Sequence, residues 1–303
     1  MSTILVTGGA GFIGSHLVDS LVQRRHRVVV VDDLSVGKKQ FVNAKALFFK
    51  IDVTTPALDR LFKKYRFDYI FHLAAQKNLQ VSKQKPVYDA MVNVVGSIKV
   101  FDLAKQYKIK KVIFYSTAAV YNPAATPPNF ERDPAAPATP YGIAKYAAEL
   151  YLVNSGVRYA VLRLSNVYGP RQDAFGEGGV VAIFSHQLSQ RSPSTIFNTG
   201  RQTRDFIYVH DVVRASVQSM RISQSVVANI STGREVRIAD LYRQMARIAG
   251  VVRPVRHRRV SEQYRSALSN LRAQKIMHWR PVTKLSQGLT LTYNWFTQKY
   301  GTA

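Results

Sequence analysis

Tyr141 and Lys145 stand four residues apart in P-Y-G-I-A-K, so a helix running through them presents both on one face. Upstream, the apolar run K-V-I-F-Y-S-T ends in two hydroxyls, Ser116 and Thr117. A phenol, an ammonium and a hydroxyl can together move a proton on and off an alcohol. Free tyrosine, with a pKa of about 10, is a poor base at neutral pH. A neighbouring cation favours the phenolate and lowers that value. The expected chemistry is proton transfer by Tyr141, tuned by Lys145, with Thr117 holding the same oxygen in position. Tyrosine and lysine at this spacing also occur by chance, as a helix cap and a solvated amine. The pair gains weight only from its surroundings.

Those surroundings begin at Thr7, where T-G-G-A-G-F-I-G-S-H follows a short apolar run. Gly9, Gly11 and Gly14 fit G-x-G-x-x-G, and Gly8, Gly11 and Gly14 keep a three-residue spacing. A strand that ends in such a turn hands over to a helix whose first N–H groups are unpaired and attract a pyrophosphate. A second apolar run, 27–31, ends in Asp32 and Asp33, about twenty residues beyond the glycines, where a carboxylate meets an adenosine ribose. The pattern therefore predicts a dinucleotide. In an open parallel sheet its ligand lies at the carboxyl ends of the strands, which brings Thr117, Tyr141 and Lys145 to the same crevice.

These residues need strands and helices in alternation to hold them. Strands are predicted at 3–7, 27–31, 47–50, 68–72, 111–116 and 158–164, and helices at 12–23, 56–64, 86–107 and 141–153. Alternation of this kind makes a parallel α/β sheet with helices on both faces. The stretch 122–140 carries six prolines and five alanines, so it is expected as an exposed loop over the site. Beyond Asn166 the pattern turns irregular, with helices at 180–190, 238–249 and 284–299. The expected fold is a Rossmann-type doubly wound parallel sheet with a smaller C-terminal substrate-binding lobe. The nucleotide-binding part spans 1–165, parts of about 204–230 return to it, and 166–303 mainly form the lobe.

The 303 residues are enough for a large core. No apolar run approaches the roughly 18–20 residues of a membrane span. The start of the chain lacks the charged and apolar leader of a secretory signal, and the absence of cysteine excludes disulfides and thiol chemistry. Both fit a cytoplasmic protein. Forty-three Lys and Arg against 18 Asp and Glu give a net charge of +25, densest in R-P-V-R-H-R-R at 253–259. Three readings compete: arginines on a phosphorylated ligand, a surface for nucleic acid or anionic lipid, or the bias of a whole proteome. A small anionic ligand needs only a few cations and does not account for the total.

Read together, the motifs resemble the extended short-chain dehydrogenase/reductases and, among them, the NAD-dependent nucleotide-sugar epimerases. The resemblance runs from residue 4 to about 298. It is carried by the glycine loop, V-D-D-L-S-x-G at 31–37, I-D-V at 51–53, H-L-A-A at 72–75, Asn93, Y-S-T-A-A-V-Y at 115–121 and the Tyr141/Lys145 pair. R-L-S-N-V-Y-G-P-R-Q at 163–172, G-G-V-V-A-I-F at 178–184 and Q-T-R-D-F at 202–206 look most like UDP-glucose 4-epimerases. The resemblance implies NAD held by Gly8, Gly11, Phe12, Ile13 and Gly14 at its phosphates. Asp32, with Asp33, Leu34, Ser35 and Gly37, would hold the adenosine ribose, and Asp52 and Val53 the adenine. Leu73, Ala74, Ala75, Lys77, Asn93, Ser116, Tyr141 and Lys145 would complete the cofactor site. A carboxylate at Asp32 repels a ribose 2′-phosphate and favours NAD, a preference that Lys38 and Lys39 soften.

For the substrate the resemblance implies Asn166, Arg204 and Arg259 at a diphosphate, Thr195 and Phe197 around a uracil, and Glu262 near its ribose. Val180 and Thr117 join them, and the small Ser266 leaves room for an N-acetylated sugar. Dehydrating relatives carry Asp-Glu after the threonine, and decarboxylating ones a Glu in the same stretch. Here Ala118 and Ala119 stand there, and neither can move a proton. The implied reaction is oxidation at C4 of a UDP-hexose, turning of the keto-sugar and hydride return to its other face. UDP-glucose and UDP-galactose are the implied substrates, UDP-GlcNAc and UDP-GalNAc possible additions. Another nucleotide-sugar epimerase or 4-keto reductase is the alternative, and a non-catalytic RNA- or membrane-binding protein of this fold a second. The retained Tyr/Lys pair argues against the latter and against nucleic acid as partner. No metal is implied, and the apolar faces of 86–107 and 141–153 suggest a homodimer by analogy. Around the substrate the sequence departs from the pattern at Asn122, at Asn198-Thr199 and at Ser261, and 153–159 is short.

Overall fold

The computed structural model describes residues 1–175, 178–251, 255–259 and 263–301. Seven parallel strands form its central sheet: β1 (Thr3–Thr7), β2 (Arg27–Asp32), β3 (Leu47–Lys50), β4 (Tyr69–His72), β5 (Lys111–Thr117), β6 (Tyr159–Leu164) and β7 (Val226–Ile230). Their order is β7-β6-β5-β4-β1-β2-β3. Val28–Val31, Ile4–Val6 and Val112–Phe114 are buried on both faces, which is why these segments read as unbroken apolar runs. The order reverses between β1 and β4, and a crevice opens there at the strands' carboxyl ends.

Helices cover both faces. On one, α1 (Phe12–Gln23) buries Leu17, Val18 and Leu21 against β1 and β2. On the other, α2 (Ala57–Lys64) contributes Leu58 and Phe62. α3 (Leu79–Gln84) and α4 (Pro86–Ala90) follow. From Pro86 the chain stays helical to Gln106: α4 runs through a π turn at Met91–Val95 into α5 (Gly96–Gln106). α6 (Pro140–Val153) lies beside it. The predicted strands and helices thus form within a residue or two of their expected ends. No strand is predicted at β7, only a return of the chain near 204–230. β7 pairs with β6 after a helix, α8 (Val209–Ser219), that was not predicted.

Beyond Asn166 the pieces are short. Asn166–Tyr168 pairs with Phe206–Tyr208, Thr203–Arg204 with Val236–Arg237, and Ser194–Phe197 with Val255–Arg258. α7 (Val180–Ser189), α9 (Ile238–Ala249) and α11 (Leu285–Tyr300) pack together on Phe184, Leu188, Leu241, Met245 and Leu289, while α10 (Leu271–Met277) returns to the sheet. Residues 122–140 contain no helix before Pro140, as their prolines require, and none of them lines the crevice. Asn229 Nδ2 donates to Asn129 O at 3.1 Å, and the Glu131 carboxylate accepts from Asn229 N at 2.8 Å, so the segment is a buttress on β7.

One ion pair is sealed inside. Arg163 of β6 donates from Nη2 to Glu149 Oε2 of α6 at 2.7 Å, with side chains 7% and 2% exposed. Arg163 also donates to the Tyr121 hydroxyl at 3.0 Å, and Ser116 donates to the same glutamate. Removing one member leaves the other charge buried without its partner. Arg163→Met is expected to lower unfolding free energy by about 3–5 kcal/mol in urea titrations.

Candidate active site

A cleft of about 700 Å³ lies over the carboxyl ends of β1, β2, β4 and β5. Its floor is the glycine loop. Gly8 has φ +70°, and a Cβ there would meet Ala74 N at 2.7 Å. A Cβ on Gly14 would stand 2.1 Å from Gly8 O, so only glycine lets α1 start this close to β1. Gly11 caps α1 without any side-chain bond, leaving its first N–H groups to the cleft. This cradle fits a dinucleotide phosphate.

Asp32 closes β2 beside it. Its carboxylate accepts from Ala10 N and Leu34 N, each at 2.9 Å. Burial raises its pKa, and the two backbone bonds oppose that. Asp52 turns the chain after β3 by accepting from Thr54 N at 2.8 Å. Gly8, Gly11, Phe12, Ile13, Gly14, Asp32, Asp33, Ser35, Gly37, Asp52, Val53, Leu73, Ala74, Ala75, Lys77, Ser116, Tyr141 and Lys145 all stand in the cleft wall. Leu34 does not; it serves through its backbone. Asn93 is not in the wall either. It is wholly buried in the π turn, bonded to Gln76 N at 3.0 Å and Gln76 O at 2.8 Å, so its amide shapes the segment before Lys77 from behind. A helical register widened by one residue often marks a functional position.

Below the wall His72 links three elements. Ser97 Oγ donates to Asn93 O at 2.7 Å and so accepts from His72 Nε2 at 3.0 Å. That leaves His72 Nδ1 to accept from the Thr7 hydroxyl at 2.7 Å, and Thr7 in turn accepts from Ala74 N at 3.2 Å. Burial and the Lys145 charge hold the imidazole down at about 3.

The proton-transfer trio is assembled by α6. Thr139 caps it, accepting from Gly142 N at 3.1 Å, and Pro140 opens its first turn. A Cβ on Gly142 would lie 2.4 Å from Ala119 O, so glycine brings this helix onto the turn after β5. The Thr117 side chain stands close enough to the Tyr141 hydroxyl to favour its ionised form. Lys145 is 2% exposed, its Nζ 4.1 Å from the centre of the Phe114 ring. The expectation of an acidified phenol is not met by the protein's own charges. Burial, then the Asp89 carboxylate, push Tyr141 up to about 12, and Thr117 only partly opposes them. Burial also brings Lys145 down to about 7, against the pull of Glu149 and Asp89. A desolvated amine is a weak source of positive charge, which is why it does not acidify its neighbour.

The substrate candidates lie elsewhere. None of Thr117, Asn166, Val180, Thr195, Phe197, Arg204, Arg259 and Ser266 lines this cleft, and Glu262 and Ser261 fall outside the described residues. Asn166 is exposed at the start of its short strand, and Val180 opens α7. Thr195 and Phe197 share a strand that pairs with Val255–Arg258, so Arg259 follows just beyond the partner of Phe197. Arg204 donates to Thr203 O at 2.7 Å, and Ser266 is buried. Two departures have local reasons. Asn198 adopts φ +51°, a left-handed conformation that asparagine tolerates, and Asn122 bonds Ala124 N at 2.9 Å. The cleft also has walls that no motif assigned: Phe41, Arg171, Trp295 and Tyr300. Arg171 lay inside a quoted motif; the others carry no local signal.

The family model described as "NAD dependent epimerase/dehydratase family" matches residues 4–231. Among solved structures, the chain is similar to the UDP-glucose 4-epimerase of Thermotoga maritima with UDP-glucose: 38% identity, TM-score 0.95, covering 98% of this chain and 99% of that one. It is similar to the Thermus thermophilus UDP-glucose 4-epimerase in complex with NAD, at 35% identity and TM-score 0.90, covering 97% and 98%. It is also similar to the UDP-N-acetylglucosamine 4-epimerase of Methanobrevibacter ruminantium in complex with UDP-N-acetylmuramic acid, at 30% identity and TM-score 0.93, covering 98% and 99%.

His72 gives the site a pH signature. The unfolded chain protonates it near 6.5 and the folded chain only near 3, so the unfolded state binds more protons throughout that window. Stability therefore falls as pH drops below 6.5. Urea unfolding at pH 6.5 and pH 5 is expected to show about 2 kcal/mol more loss in the parent than in His72→Gln.

Proposed function

This chain belongs to the NAD dependent epimerase/dehydratase family, and on that premise we propose that it interconverts the C4 epimers of a UDP-hexose. The observation that carries the reading is the junction of β5 and α6. It brings the Thr117 side chain beside Tyr141 at the edge of a dinucleotide cleft, with alanine at 118 and 119. A sugar hydroxyl at that point meets one group able to take and return its proton, Tyr141, and one able to orient it, Thr117. Ala118 and Ala119 offer no acid to expel a second hydroxyl. That favours epimerisation over dehydration.

When bound, NAD supplies hydride transfer at a ring that is positively charged when oxidised, and this charge favours the Tyr141 phenolate that Lys145 alone does not. Asp32 would hold the adenosine ribose and the N-terminus of α1 the pyrophosphate. Thr195, Phe197, Arg204 and Arg259 would take the nucleotide half of the substrate, with 166–303 mainly as its lobe. UDP-glucose and UDP-galactose are the proposed pair. The small, buried Ser266 supports acceptance of UDP-GlcNAc and UDP-GalNAc as well.

UDP-galactose added to the purified protein is expected to yield UDP-glucose without external reductant, since hydride leaves and returns. Tyr141→Phe is expected to cut kcat by about 10²- to 10⁴-fold with little change in KM. A Tyr141→Phe protein that turns over at the parent rate would remove the mechanism, and a parent that interconverts no UDP-hexose would remove the substrate.

The partner proposed for this subunit is a second copy. Val87, Met91 and Val95 recur every four residues along one helical face, 76%, 46% and 46% exposed, and α6 beside it shows Ile143, Leu150 and Tyr151. Two adjacent helices with an apolar outer face suit a four-helix contact between copies. Among the described residues no helix is long and apolar enough to cross a membrane. Sedimentation is expected to report a dimer for the parent and a monomer for Ile143→Asp combined with Met91→Asp.

A further inference from the structure

The end of the sheet opposite the cleft carries a different balance of charge. There the strands begin and the helices end, in turns at 24–27, 63–68, 105–111, 154–159 and 220–226. One line of hydrogen bonds joins these turns. Arg27 N donates to Ser2 O at 3.0 Å, Asp68 N to Thr3 O at 2.8 Å, Lys110 N to Asp68 O at 2.9 Å and Val112 N to Arg158 O at 2.9 Å. Tyr159 N then donates to Ser225 Oγ at 3.2 Å. The line crosses from β2 to β7, six strands at about 4.8 Å spacing, or about 24 Å. The five turns hold twelve Lys and Arg and one carboxylate, Asp68. All the cations but Lys111 are exposed.

Little of that charge is cancelled. Asp68 pairs with Lys110 at 2.8 Å and also accepts from Thr3 N at 2.8 Å. Among the described residues no other cation of these turns has an ion pair. The next acid, Asp102, lies a turn back on α5. Lys111 turns inward, its ammonium donating to Ser219 O at 3.3 Å, Gln224 O at 3.1 Å and Ile222 O, and so fixes the turn that carries Arg221. Lys63, Lys64 and Lys105 stand in last turns of α2 and α5, where a cation also opposes the helix dipole. That account does not reach Arg27, Arg66, Lys110 or Arg158, which open strands or lie just before them. A proteome-wide bias would load both ends of the sheet alike. The cleft is instead balanced, with Asp32, Asp33, Asp52 and Asp173 against Lys38, Lys77, Lys145 and Arg171.

A row of exposed cations repels itself, and a partner with anionic groups in series relieves that. The uncharged side chains say which partner. Phe67, Ile109 and Val157 are buried, and none of the five turns has an exposed large apolar side chain to sink into lipid. Tyrosines are interleaved instead. Tyr65, Tyr107 and Tyr159 are half-buried, and Arg27 and Lys64 lie 5.3 and 5.6 Å from the centre of the Tyr65 ring. Cations in series with aromatic rings suit phosphates that alternate with bases.

We propose that this edge of the sheet, from Arg27 across to Arg221, is a docking surface for single-stranded nucleic acid, held through its phosphates. The retained Tyr141/Lys145 pair speaks against a protein that only binds, and it leaves this end of the fold free. Five-residue strands such as β1 put the edge about 17 Å from the cleft, beyond the screening length of about 10 Å at 0.1 M salt. The surface therefore stands apart from the epimerase reading.

Fluorescence anisotropy with a labelled uridine RNA of about 16 nucleotides tests it. The edge variant combines Arg66→Gln, Lys108→Gln and Arg158→Gln, all outside the last helical turns. A control combining Arg272→Gln, Lys275→Gln and Lys284→Gln loses the same charge from α10 and the start of α11. In 0.1 M salt the edge variant is expected to bind about tenfold more weakly than the parent, with a salt slope shallower by about 2. The control is expected to bind within about twofold of the parent, and all three proteins to turn over UDP-galactose alike. Equal weakening in both variants, or an edge variant that binds like the parent, overturns the surface. So does a parent that binds no RNA, whether or not it binds vesicles of phosphatidylserine and phosphatidylcholine. An edge-specific loss in a parent that interconverts no UDP-hexose keeps the surface and removes only the epimerase reading.

Discussion

The close approach of Gly142 to Ala119 O sets how near Tyr141 can come to Thr117. A methyl group at residue 142 would sit 2.4 Å from that backbone oxygen, so α6 could not settle onto the end of β5. Thr117 belongs to the strand and Tyr141 to the helix, with a proline-rich excursion between them. Only the packing of one backbone on the other closes that gap. A comparable constraint acts at the first strand, where Gly14 lets α1 begin against Gly8 O. Both points need the same property, the absence of a side chain where two backbones meet.

Electrostatics then follow from burial. Burial weakens the positive charge that the spacing of Lys145 promised and tightens the hold of Tyr141 on its proton, because both are cut off from water. The nearest strong ion pair, Glu149 with Arg163, lies one and two turns deeper and is fully bonded through Ser116 and Tyr121. It fixes the positions of β5, β6 and α6 more than it tunes charge. Such a site is set to respond to a cation brought in beside the phenol. The protein supplies the low dielectric, and the ligand would supply the field.

Arg171 and Lys299 come from distant parts of the chain and meet at the Phe41 ring. Much of the +25 gathers at the amino ends of the strands, and the rest is spread over the surface without a task that the fold assigns.

Much of the nucleotide half was legible in the residues. Apolar runs bounded by glycine and acid set the first six strands, because a strand buried on both faces cannot tolerate polar positions. The glycine loop, Asp32 and the Tyr141/Lys145 spacing are local geometry, and they stand in the cleft wall together. Other features depended on contacts between segments far apart. Asn93 turned behind the wall to bond Gln76, 122–140 lay against β7, and β7 closed the sheet after an unpredicted helix. Trp295 and Tyr300 reached a cleft begun at residue 8. The sequence determined which backbones could turn, cap and pack, since these are properties of a few neighbouring atoms. Tertiary structure decided which charges survive burial and which distant walls meet, since both depend on how much water the whole fold excludes.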